Sequence, residues 1–347
     1  LVRRITERFD EAQTEVVLIL ARHLRRDIEA DDWAQLRSLD AARVQREVRG
    51  AVQVLRRSTS AKVASVLRQV YAASDREAAR LLAAAGVTRV ILESGVAKTP
   101  SRRALAALTT DLAERLIGEG RQRRILRATD DVYRQVIARA TTEGLLGRLT
   151  RRQVAQAALN EFAGRGITGF IDAAGRSWNL ASYAEMATRT AAISAGRMGK
   201  LDAMRARGHD LAIISGNSTG CEACAPWEGE IVSIDGATPG YPTLADAEGD
   251  GLFHPNCGHQ PDPYVEGVTE EQTEVRSDPE RYAALQEQRR LERGVRQYKT
   301  RAAAALDDQA RAAAEAKVRE WQARLREHTS KYDLPRLYYR EQVGKAI

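Results

Sequence analysis

Over residues 1–166 apolar side chains return every three or four positions. Ile5, Phe9, Val16, Leu20 and Leu24 form one such series, and Val44, Val48, Val52 and Leu55 another. That spacing puts the apolar groups on one face of an α-helix, which buries that face and leaves the rest in water. Further helices are expected over about 61–85, 101–117, 129–146 and 150–163, separated by breaks at Gly86, at residues 98–100, 118–120 and 164–166. Ser101 and Thr150 stand at N-cap positions, where a hydroxyl can accept from the free N–H groups of the first turn. Residues 1–166 are therefore expected to form a helical bundle domain that docks through one face.

At Ile167 the period changes from helical to alternating. Residues 167–172 and 176–180 flank the turn Ala173, Ala174 and Gly175, the pattern of a short β-hairpin. A helix follows over about 182–207. Two short runs rich in β-branched residues, 210–215 and 230–235, then enclose a Cys-x-x-Cys turn. A long Gly/Pro-rich loop at 236–251 returns the chain to His254, and Pro261, Asp262 and Pro263 close the segment. Residues 167–268 are thus expected to form a small α+β module. Residues 269–347 are expected to form a helical arm, with helices starting at Asp278-Pro279 and near Asp307.

Composition agrees with a mainly α fold class. Of the 347 residues, 43% are hydrophobic, 5% aromatic and 29% charged, and a chain of that length usually builds more than one core. No apolar run approaches the 18 or so residues a membrane helix needs, so a soluble protein with no membrane partner is expected. Only seven of the 54 basic residues are Lys. The net charge of +7 is localised: residues 281–347 hold sixteen Lys and Arg against nine Asp and Glu. This basic amphipathic arm is either a solvated face or a contact for DNA or an acidic protein surface.

All three cysteines and two of the five histidines fall within 39 residues, as Cys221, Cys224, His254, Cys257 and His259. A Cys-x-x-Cys turn aims two thiolates at one ion, and the second cluster can complete a tetrahedron, so structural zinc is the expected cofactor. Cys221, Cys224 and Cys257 have little other role at this spacing. The fourth donor is expected to be His259, which shares the turn of Cys257, rather than His254, which could instead orient a ligand by hydrogen bonding.

Catalytic readings fare less well. Zinc deaminases require His-x-Glu upstream of their Cys-x-x-Cys, and no histidine here is followed two residues later by Glu. His-Glu-x-x-His is also absent. Three thiolates and an imidazole would close the coordination sphere, leaving no position for water. Asn217, Ser218 and Thr219 with Glu228 and Glu230 superficially match elements of arginine-modifying ADP-ribosyltransferases, but they lie too close together. No catalytic residue is assigned.

Four ordered stretches carry a resemblance: residues 175–190, 221–229, 254–259 and 288–299. Together they resemble the minor capsid, or minor head, proteins of tailed bacteriophages, the group related to Mu F-type head morphogenesis proteins. The likeness covers about residues 167–340. Trp178, Tyr183, Glu185, Arg189 and Thr190 match the signature helix. Relatives commonly end the second cluster Cys-x-Cys where this chain has Cys257-Gly258-His259, an exchange that a ligand position permits. The resemblance implies a low-copy virion protein, made in the host cytoplasm and placed at or near the portal vertex. It would contact the portal protein, and further contacts with major capsid or scaffold protein and with packaged DNA are in view. Its work would be head assembly, with a part in DNA packaging or ejection. The alternative is an enzyme carried in the head, ADP-ribosyltransferase-like or a metal-dependent hydrolase.

Overall fold

The computed structural model describes residues 3–87, 101–145, 149–165, 168–171, 177–215, 224–254, 257–270 and 278–343. In chain order these form α1 (Arg3–Arg25), α2 (Trp33–Ala84), α3 (Ser101–Ile117), α4 (Glu119–Leu145), α5 (Arg151–Arg165), β1 (Thr168–Ile171), β2 (Ser177–Asn179) and α6 (Leu180–Arg205). They continue as β3 (Leu211–Ser215), β4 (Ile231–Ser233), α7 (Leu244–Gly249), β5 (Gln260–Pro263), α8 (Pro279–Ala303) and α9 (Asp308–Lys331). The fold is mainly helical, with a small three-stranded sheet.

Two compact units make up the chain, and their residues interleave. One holds residues 61–113 and 186–283; the other holds 3–60, 114–185 and 284–347. The sequence reading instead divides the chain into consecutive blocks at 166 and 269.

In the second unit both apolar series are buried as their spacing requires, with Phe9, Leu20 and Leu24 at 0% exposure and Val48 at 1%. Each such side chain contributes about 1.5–3 kcal/mol relative to exposure. The last carbonyls of α1 would otherwise lack partners. Trp33 Nε1 donates to the Leu24 carbonyl at 3.0 Å, and Arg37 donates to that of His23 at 2.8 Å. Arg151 then ties α5 to the following loop through the carbonyls of Ile28 and Ala30. Thr150 caps α5 as expected: its hydroxyl accepts from Gln153 N–H while the Gln153 side chain accepts from Thr150 N–H. The basic C-terminal segment packs within this unit, where Arg301 donates to the Asn160 carbonyl and Leu306 N–H to Gln156 Oε1.

Helix α2 runs unbroken for 52 residues through Ser58, Thr59 and Ser60. Ser58 and Ser60 turn their hydroxyls back onto the carbonyls of Leu55 and Arg56, so neither competes with the helix ladder. In the first unit the sheet order is β4-β3-β5, antiparallel throughout. Strand β5 carries Pro261 and Pro263, tolerated because it is an edge strand. Gln260 and Ser215 fasten its start by reciprocal bonds between Ser215 Oγ and the Gln260 backbone. Helix α7 lies inside the expected loop, started by a capping box between Thr243 and Asp246. The β1–β2 hairpin forms with Phe170 opposite Trp178.

Candidate metal centre

Three elements of the first unit converge on the thiols. Strand β3 leads into the Cys-x-x-Cys segment. Cys224 then opens a short 3-10 turn, Ala225–Trp227, with Pro226 supplying a preset φ. Glu230 is returned to β3 through the Ile214 N–H bond to its carbonyl, at 2.9 Å. From the other side, α7 ends at Gly249, and Gly251, at φ 104°, turns the chain toward Phe253. Phe253 itself adopts φ 65°, a left-handed conformation that costs a bulky residue energy. That bend delivers His254 into a turn in which Cys257 N–H donates to the His254 carbonyl at 2.9 Å.

The Cys224 and Cys257 side chains are 0% and 4% exposed, in a core with Leu82, Met204, Ile214, Val232, Leu244 and Leu252. Their sulfur atoms stand 3.6 Å apart. The donor atoms of Cys224, His254 and Cys257 all lie within 4.8 Å of one another, a group able to hold a metal ion. Two soft sulfur donors and an imidazole fit zinc better than a hard cation. Cys221 and the stretch Asn217, Ser218 and Thr219 lie outside the described residues.

His259 is placed differently. Its Nδ1 faces Cys257 Sγ at 3.2 Å, and its Nε2 meets Glu228 Oε1 at 2.6 Å, with both side chains 1% exposed. His254 thus shares the donor group with the two thiols, while His259 lies against Cys257 and Glu228. Glu228 is a site residue that the sequence reading did not single out as part of the cluster. Its Oε2 has no partner among the described residues.

The electrostatics follow from burial and these bonds. Burial works to raise the Cys257 pKa, but hydrogen bonds from His259 and Cys224 and the charge of His259 outweigh it, holding the thiol down at about 7 from 9.0. Burial lowers that of His259, and the bonds to Cys257 and Glu228 more than reverse it, leaving it raised. Arg197 stacks on the Phe253 ring at 4.1 Å. Burial depresses the pKa of its guanidinium, while Cys257, Glu248 and Cys224 push the other way. A cation thus stands beside the sulfur pair.

Cys257, His259 and Glu228 also form a nucleophile–base–orienter sequence. Cys257 itself is 4% exposed. Tyr183, from the signature helix, is buried in the other unit with the Arg121 guanidinium 5.0 Å from its ring centre, an ordinary packing role. Among the described residues no helix is long and apolar enough to cross a membrane.

Comparison with known proteins says what kind of chain carries this helical scaffold, small sheet and buried thiol cluster. A family profile described as phage minor capsid protein 2 matches residues 1–330, and the chain belongs to that family. It is similar to a structural protein of Lactococcus phage LL-H, 29% identical over 230 residues. That match takes in 60% of this chain and 61% of the relative, so the chain spans less than two thirds of that protein's length. No solved structure matches the chain.

Proposed function

We propose that this virion protein is a non-enzymatic minor head component that sits at or near the portal vertex and acts in head assembly. Its partners on this reading are the portal protein, with major capsid or scaffold protein and packaged DNA as further contacts. Family membership supports the virion setting. The observation that carries the architectural role is the convergence of Cys224, His254 and Cys257 in a core of short strands. Zinc held by these three and by Cys221 would staple the sheet to the loop after α7, with His259 and Glu228 fixing the Cys257 sulfur.

Elemental analysis is expected to find about one zinc per chain, as one four-donor site requires, and Cys224→Ser to lose both the metal and thermal stability. A metal-free protein of equal stability rejects the staple. Transfer of label from NAD to host proteins, abolished by Glu230→Ala, would instead establish the enzyme alternative.

A further inference from the structure

The second unit contains a cleft of about 660 Å³ whose walls come from α1, α5, α6, α8 and α9. Arg290, Arg293 and Arg296 line it at intervals of three residues along α8, each about 4.5 Å further along the helix axis. Among the lining residues they meet the carboxylate Asp10, and Glu185 and Glu292 act on Arg293 from nearby. Arg290 is forked on Glu287 at 2.6 Å through two nitrogens, and Arg296 donates to the Arg340 carbonyl and stands 4.0 Å from Asp10. No hydrogen bond or ion pair of Arg293 is seen among the described residues; burial and Arg296 lower its pKa while the nearby carboxylates of Glu185 and Glu292 partly offset them, so its guanidinium donors can still serve a ligand.

One wall is the Trp321 indole, with the Arg290 guanidinium 5.3 Å from its centre. It lies so close to α8 that a Cβ on Gly294 would come within 2.2 Å of its ring. A row of guanidinium groups beside an aromatic wall suits an extended chain of phosphates better than a point anion. The volume is that of a small-ligand site, too small to admit a duplex.

We propose that this cleft is a phosphate site that takes the backbone of a single nucleic-acid strand. The inference rests on the reading of the C-terminal segment as a DNA contact, and it names the residues. The test is fluorescence anisotropy on the intact chain with labelled oligothymidylate, inorganic phosphate and a duplex of equal length as separate arms. The single strand is expected to bind most tightly. Arg293→Gln should weaken it by about tenfold and reduce the slope of log affinity against log salt by about one. Arg311→Gln, exposed on α9 outside the cleft, should change neither. Thermal melts of both variants check that the fold is intact.

Oligothymidylate binding that Arg293→Gln leaves unchanged, or a preference for duplex or free phosphate, overturns the cleft while leaving a DNA contact elsewhere on the segment standing. Failure of every nucleic-acid arm defeats both.

Discussion

Asp10 shows how much one side chain's surroundings decide. Burial pushes its pKa up, Arg296 pulls it back, and Glu185, Glu7 and Glu11 add to the rise, leaving it at about 6 against an ordinary 3.8. The folded state therefore holds the proton more tightly than the unfolded chain. Stability from this group is fullest below pH 4 and falls as pH rises to about 6, by roughly 3 kcal/mol at most. Asp10→Asn should be more stable than the parent above pH 7 by about 1–3 kcal/mol and near parity at pH 4. Urea unfolding across that range checks it, and a variant less stable at high pH would show that the Arg296 pair outweighs burial. At this scale the approach of Cys224 to Cys257 was legible because cysteines are rare in this chain and close in sequence. Glu228 was not, because a loop glutamate carries no signal until His259 is seen against it.

Elements meet at distances that glycine sets. A Cβ on Gly199 of α6 would lie 2.3 Å from the Tyr71 carbonyl of α2, and backbone cannot swing away as a side chain can. Gly199→Ala should cost about 1–3 kcal/mol, read as a drop in melting temperature. Gly50, mid-helix in α2, meets nothing within 4 Å, so Gly50→Ala should stabilise by up to about 1 kcal/mol. Opposite signs for one chemical change separate close approach from helix propensity; equal signs would refute the packing account. Helical periodicity revealed most of the helices, because their apolar stripes must face a core. It missed the continuity of α2, whose second part was expected as a separate helix from about residue 61, although Ser58 and Ser60 bond back to the helix. It also missed β5, since prolines argue against a strand except at an edge, and an edge is a property of the sheet rather than of the segment.

For the whole chain, the sequence motifs singled out residues 167–340, whereas the family profile extends over 1–330. Amphipathic helices resemble one another, so an N-terminal half made of them offers nothing to tell one partner surface from the next. The interleaving of the units was likewise invisible, because periodicity reports which face is buried and not against what. Interleaving makes the metal proposal testable by region. Strands of five and three residues such as β3 and β4 cannot hold a sheet by their own ladder, so removing an ion from Cys224, His254 and Cys257 should loosen them first. Hydrogen exchange with and without a chelator is expected to accelerate at Leu211–Ser215 and Ile231–Ser233 while Arg3–Arg25 and Glu119–Leu145 keep their protection. Unchanged exchange in the strands would mean that aliphatic packing around the thiols suffices alone, and uniform acceleration would mean that both units unfold as one.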